Sequence, residues 1–476
     1  MDHQRFKEPK TTEMKNKILY LIFFCCCTFW SSAQDLGLHT MKNVWQSNKT
    51  NPAMIGHAKF GFTLPGVTTN IGNSAFSYND LLSTNSNGET VLNGNQFVNL
   101  LDDQNSVWAR ADVETFNLHF GGEQWRVFLH HSVRSEISAV YPKTLAQLVF
   151  EGNAQFLGQA IDIGPDFNAT AYSEIGIGGA IKFTQLTIGA RLKMLNGLGN
   201  ISSDQSLASL FTDDQSVYDL TLESDYRINA AGMVDIIGLA DPDVETEIEV
   251  GDPNFSPFGS NKGFAIDFGL TYHLSERWQV AASVLDFGKI TWKENSKNFV
   301  SQGNFTFKGI DLIEVIEDDS MAFESTLDTL SDIFNFQETA GSFSTALSMN
   351  SFISSDFQVS KMFRIGAMLH LRSSKGKITP TYALSANADF GKVFSMGTVI
   401  SHNSFTPVGV GLNGMLKLGP VQIFALTDNM LSAFKVLDSR SAHFRFGINL
   451  SFGSHLQEDH NEQKNPTPQD RLSTMY

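Results

Sequence analysis

The chain has almost no cysteine: three in 476 residues, consecutive at Cys25 to Cys27. Nothing after residue 33 carries a thiol, which excludes a disulfide framework, a Cys-ligated metal and a thiol nucleophile from that part. Charge is sparse too, at 18 % against roughly 25 % in soluble domains. What charge there is leans acidic, with 34 basic and 50 acidic residues and a formal net charge of −16. Nucleic acid is therefore not an expected partner, because phosphate binding requires clustered Lys and Arg. Long apolar runs are missing: past residue 33 none approaches the ~18 residues of a membrane helix. No Gly-x-Ser-x-Gly elbow, Walker loop, His-Glu-x-x-His or dinucleotide fingerprint occurs, so neither an enzyme nor a cofactor is expected.

Phenylalanine is plentiful, with 39 residues against 9 Tyr and 6 Trp, yet mean hydropathy is only −0.12. A chain this aromatic and this polar on average suits strands that are apolar on alternate residues. In "GFAIDFGLTYH", Phe264, Ile266, Phe268, Leu270 and Tyr272 share one face, opposite Ala265, Asp267, Gly269, Thr271 and His273. "QLTIGARLK" sets Leu186, Ile188, Ala190 and Leu192 against Thr187, Gly189, Arg191 and Lys193. "FRIGAMLHLR" sets Phe363, Ile365, Ala367, Leu369 and Leu371 against Arg364, Gly366, His370 and Arg372, with Met368 the exception on the second face. "HFRFGINLSFG" repeats the pattern around Arg445, Gly447, Asn449 and Ser451. Strands of about 9–12 residues exceed the usual ~5–6 and match the length that crosses a tilted bilayer. In lipid every backbone group must be paired internally, so such strands have to close on themselves.

The expected fold is therefore all-β: a transmembrane antiparallel β-barrel of about 14 strands, with an N-terminal plug segment and a few helical loops. Residues 1–33 read as leader and signal peptide, with Lys15 and Lys17, the apolar run Ile18 to Trp30 and the small residues Ser31-Ser32-Ala33 in order. The polar run before Met14 is unusual for a leader, which makes Met14 the expected start. The barrel is expected over 57–453 and a polar, coreless tail over 454–476. Three stretches lack strand period: 142–165 and 310–340, which look helical, and 234–262. Within the last, the acidic run 241–252 reads as a solvated loop rather than a Ca²⁺ site. No metal is expected.

Residues 34–56 are the expected plug. Asn and Gly tolerate left-handed backbone and Pro52 fixes a turn, so a compact polar loop can satisfy its own backbone inside a wet lumen. Arg191, Lys193, Asp267, Arg364 and Arg372 are expected to line that lumen, with Glu174, Asp267 and Asp389 as candidate ion partners. His130 and His131 are neighbours, so one must face the lumen and the other the outside; an interfacial pair near a strand end is expected.

Several stretches resemble a family of Bacteroidota outer-membrane barrels that carries a domain of unknown function and is similar to PorP/SprF-type barrels: "SNKTNPAMIGHAKFGFTLPG", "NKGFAIDFGLTYHLSERWQVAASVLDFGKITW" and "VQIFALTDNMLSAFKVLDSRSAHFRFGINLSFG". Asn51-Pro52-Ala53 is also similar to the plug motif of FadL-type transporters. The resemblance implies a monomeric barrel of about 14 strands with an N-terminal hatch, in the outer membrane and in contact with its lipid. Two roles follow as expectations. One is a plugged channel for a small apolar or amphipathic molecule; the other is a non-transporting barrel that anchors envelope proteins through its loops and tail.

Overall fold

The computed structural model describes residues 35–56, 58–84, 90–215, 219–241, 243–256, 259–308, 334–404, 408–430 and 436–454. The expected signal segment and nearly all of the expected tail lie outside these residues. So does 309–333, most of the stretch 310–340 that reads as helical.

The wall begins with a broken strand, β1 (Ala58–Thr63) and β2 (Gly66–Asn73), interrupted at Leu64-Pro65 because proline cannot donate to a ladder. There follow β3 (Gln104–Gly121), β4 (Trp125–Pro142), β5 (Asp166–Lys182), β6 (Leu186–Thr212), β7 (Asp219–Gly232), β8 (Lys262–His273), β9 (Trp278–Trp292) and β10 (Lys297–Lys308). The remainder are β11 (Met349–Gln358), β12 (Phe363–Ser374), β13 (Lys377–Phe390), β14 (Phe394–Asn403), β15 (Gly409–Leu418), β16 (Val421–Thr427) and β17 (Ser441–Ser454). With β1 and β2 counted as one strand and β7 and β10 left aside, these form a closed 14-strand antiparallel barrel. Closure is made by β17, which pairs with both β1 and β2.

The wall is apolar outward and polar inward. In β8, Phe264 and Phe268 are 60 % and 54 % exposed, whereas Asp267 is fully buried. That arrangement is unfavourable in water and favourable in lipid. Met368, the apolar exception on the polar face, faces inward where period two puts it, with Leu36, Leu285, Phe352, Ala383 and Val399. The lumen there holds an apolar plug side chain, so an apolar wall residue fits.

The two ends differ. The β3–β4, β5–β6, β8–β9, β11–β12, β13–β14 and β15–β16 connections are short, and they share one end with Ala58 and Ser454. The long excursions all leave the other end. Strands exceed the expected 9–12 residues on that side, β6 reaching 27 residues. Its second half leaves the ring to pair with β7, and β7 with β10, around a separate core that includes Leu222, Tyr226 and Phe299. The stretch 142–165 is helical only at first: helix α1 (Lys143–Glu151) and a short turn lead into the strand Ala160–Asp162. In 234–262 the structure has a hairpin, Val234–Ile237 against Glu247–Val250, so a third of the acidic run 241–252 is strand. Helix and hairpin lie at the end opposite Ser454.

Candidate functional site: a plugged, charge-lined lumen

Residues 35–56 lie inside the barrel. Leu36–Thr40 form one helical turn and Trp45–Lys49 a 3₁₀ turn, and both are buried throughout. The segment starts in the long-loop half, where Leu36 and Gly37 donate their backbone N–H groups to Asp428 at 3.1 and 2.8 Å. It descends past His39, whose ring nitrogens meet Thr50 Oγ1 at 3.0 Å and Ser354 Oγ at 2.9 Å. Lys42 then pairs with Asp356 at 3.0 Å and Asn43 donates to Asp389 at 2.7 Å. Burial pushes the His39 imidazole down to about 4, with Asp356 opposing the shift. Asp35 is held below the usual carboxylate range: burial opposes this, and the charge of Arg445, which donates to it at 2.7 Å, outweighs it.

The Asn51-Pro52-Ala53 turn presses on the wall. Asn51 Nδ2 donates to the carbonyls of Leu270 and Ala282, cross-strand partners in β8 and β9, at 3.1 and 3.2 Å. Asn51 Oδ1 accepts the Ala53 N–H at 2.9 Å, closing the turn. From the wall, Ser283 Oγ donates to Thr50 O at 2.6 Å, Arg191 to Asn48 O at 3.1 Å and Arg364 to Thr40 O at 2.9 Å.

Around the plug runs an ion network. Lys193 Nζ lies 2.9 Å from Asp267 and 2.5 Å from Asp286, and Arg191 is 3.1 Å from Asp267. Arg134 reaches Asp286 at 3.1 Å and Glu174 at 3.5 Å; His130 Nε2 is 3.0 Å from Glu174. The plug joins through Lys49, which is 2.7 Å from Glu114 and 3.3 Å from Asp112. Burying so many charges is tolerable because each has opposite-sign neighbours and hydrogen bonds. A second group lies nearer the long-loop end, where Glu136 of β4 pairs with Arg110 at 3.2 Å and also with Arg372 of β12. The Glu136–Arg372 pair crosses the lumen, since β4 and β12 lie far apart around the ring.

All five lumen residues named from the sequence are therefore inside the barrel. Arg364 reaches Asp389 at 3.5 Å, at the far side of the plug from the Arg191 group. His130 faces the lumen. His131 faces outward, where its Nδ1 is 2.7 Å from Thr115 Oγ1 at a β3 bulge; the pair sits within β4 rather than at its end. Alternation alone did not reveal Asp286. It is at φ 61°, in a bulge of β9 opposite Asp267, whose Oδ1 accepts the Asp286 N–H at 2.8 Å. A bulge puts two successive residues, Leu285 and Asp286, on the inner face. The sequence signal was the Asp-Phe-Gly at 286–288. Arg134 and Glu136, by contrast, were legible: they follow His130 in strict alternation.

Above the plug is a cavity of about 170 Å³. Leu36 lines it from the plug side and Val107, Trp108, Ala139 and Val140 add apolar surface. Hydroxyls and amides of Asn70, Ser106, Ser138, Ser374, Ser401 and Asn403, with Arg372, Lys375, Lys377, Asp166 and Asp428, make the rest polar. The β12–β13 turn, with Lys375 at φ 47° and Gly376 at φ 77°, extends over this cavity. Its Lys375 Nζ reaches Phe167 O at 2.8 Å and Ser203 O at 2.7 Å on β5 and β6, and also pairs with Asp166.

A closed barrel with an apolar exterior and a plugged, charged interior is a membrane β-barrel in architecture. The chain belongs to the DUF5723 family, a family of unknown function whose model matches residues 52–428. No curated protein matches it. Among solved structures it is similar to the toluene transporter TbuX of Ralstonia pickettii, at 10 % identity over 85 % of this chain and 92 % of that one, with a TM-score of 0.38. The toluene transporter TodX of Pseudomonas putida matches at 11 % identity over 85 % and 94 %, TM-score 0.37. A FadL homologue of Pseudomonas aeruginosa matches at 10 % over 86 % and 95 %, TM-score 0.37.

Proposed function

We propose that this chain is an outer-membrane barrel whose plug gates uptake of a small amphipathic molecule. One observation carries the reading: among the described residues, no backbone–backbone hydrogen bond joins 35–56 to the wall. The plug is held by side chains, as a removable part would be, whereas a permanent filling gains from joining a ladder. In the orientation usual for such barrels, short turns face the periplasm and long loops the outside. The cavity above Leu36 is then the entry vestibule. Its Trp108 and Val107 beside a ring of hydroxyls, amides and charges suit an amphipathic ligand better than a purely apolar one. We assign the chain no catalytic role.

The test compares the full chain with a variant lacking 35–56 in planar bilayers, with barrel folding checked by heat-modifiable mobility. Deletion should convert a mostly closed barrel into one of steady conductance. A folded deletion variant that conducts no more than the full chain would sink the reading. The Glu136–Arg372 and Arg134–Asp286 bridges would then be the features that keep the lumen shut. That result would favour the anchoring role, the one implied by the resemblance to PorP/SprF-type barrels.

A further inference from the structure

Most lumen arginines meet a carboxylate: Arg134, Arg191, Arg364, Arg372 and Arg445 each pair with one. Arg126 does not. It is only 3 % exposed, and its Nε, Nη1 and Nη2 have no hydrogen-bond partner among the described residues. It is the second residue of β4, so it sits at the short-turn rim. The plug covers it there: a Cβ added to Gly56 would lie 3.8 Å from Arg126 Nη1 and 2.9 Å from the Trp45 Cβ. The Trp45 Nε1–H, another donor, is likewise buried without an acceptor. A guanidinium buried without a counter-charge is among the costliest arrangements a protein can hold. The seated plug imposes that cost, and lifting the plug relieves it.

We propose that Arg126 is a receptor for a carboxylate presented from the short-turn side, and that capture of the carboxylate is coupled to plug release. The planar fork of Arg matches a carboxylate in two parallel hydrogen bonds. A ligand that binds only the released state draws the equilibrium toward it by mass action. Two sources offer this chemistry. The chain's own residues after Ser454 include Glu458, Asp459 and Glu462, and Ser454 pairs with Ala58 on the same rim. A separate acidic peptide is the other. The inference shares with the proposed function only the premise that the plug can leave.

The test reads plug exposure and not transport. Ala53→Cys is introduced into the full chain with Cys25, Cys26 and Cys27 replaced by Ala, and maleimide labelling is followed in detergent. Saturating tetraglutamate should speed labelling about tenfold or more, tetralysine should not, and Arg126→Gln should abolish the response. Arg126→Gln should also label more slowly than the parent without peptide, because the uncompensated charge is gone, and Arg126→Lys should keep a reduced response. Equal acceleration in the parent and Arg126→Gln, or no acceleration in the parent, would overturn the proposal. So would faster basal labelling of Arg126→Gln. Removing 455–476 separates the sources: a slower basal rate restored by tetraglutamate identifies the chain's own tail, and an unchanged rate a separate peptide. A labelling response in a barrel that never conducts would remove the channel reading and leave this site standing.

Discussion

Gly189 and Gly269 are partners across the β6–β8 ladder, and the plug turn occupies the space where their side chains would stand. A Cβ on Gly189 would lie 2.3 Å from the Pro52 carbonyl carbon and 2.5 Å from Ala53 N; one on Gly269 would lie 2.0 Å from Asn51 Oδ1. The wall is thus notched to receive Asn51-Pro52-Ala53, and the notch belongs to the strand pair beside the one whose carbonyls Asn51 bonds.

Because backbone atoms fill the notch at Gly189, a methyl group there cannot be accommodated by turning a side chain. Gly189→Ala should loosen the plug by about 1–3 kcal/mol, the usual cost of overpacking. Protease cleavage within 35–56 is the measurement, with Gly414→Ala as control, since the nearest atom to its added Cβ is 3.9 Å away. Equal protection of the two variants would show that the notch does not hold the plug.

Lys49 carries the plug's charge into the wall network. Lys49→Met would leave Glu114 and Asp112 without their nearest plug cation, and breaking a buried pair from one side typically costs about 3–5 kcal/mol. Arg134 and Arg445 also approach these carboxylates, at 3.5 and 3.9 Å, so the lower end is expected. Adding Glu114→Gln to Lys49→Met should recover part of the loss. The double-mutant cycle on plug protection decides this, and strictly additive effects would mean the pair is not coupled.

How far this site could be read from sequence depends on what period two can carry. Alternation assigns a face, and that alone puts Arg191, Lys193, Asp267, Arg364 and Arg372 in the lumen. It cannot say which residues meet across a closed ring, and so Arg372 finds Glu136 instead of a neighbour in its own hairpin. It fails outright at a bulge, where the phase slips by one residue; Asp286 enters the network that way. Met368 broke the pattern because part of the lumen's filling is apolar. Arg126 was in phase, but its lack of a partner is a property of the packed plug.

Acid should weaken the plug through His39. Its docked pKa is about 4 against 6.5 when free. The undocked segment therefore binds the proton first, and docking stability, full above about pH 6.5, is lost as pH falls through the window between these values. At 1.36 kcal/mol per unit the full loss is roughly 3 kcal/mol. His39→Gln keeps a donor and an acceptor near Thr50 and Ser354 but cannot titrate. Maleimide labelling of plug cysteines, divided at each pH by the labelling of a free cysteine peptide to remove the loss of thiolate in acid, should accelerate from pH 7 to 4 in the parent and stay flat in His39→Gln. A parallel rise in both would assign the effect to other groups.

At the opposite end Lys375 ties the β12–β13 turn to β5 and β6. Its Nζ serves two carbonyls and one carboxylate, while the strained tip itself, Lys375 and Gly376 both at positive φ, is stable only as a tight turn. The bonds are partly exposed, so their net worth is modest, on the order of 1–2 kcal/mol together. That is enough to set how often the tip lifts from the vestibule, and too little to affect barrel assembly. Lys375→Met should therefore leave the thermal transition of the barrel in place while speeding amide exchange at 374–377 by about fivefold or more. High salt should do the same in the parent by screening Lys375 from Asp166, but more weakly, since the two carbonyl contacts persist. Exchange that is unchanged in Lys375→Met would mean the turn holds its position without the latch, and access to the vestibule would have to be set elsewhere.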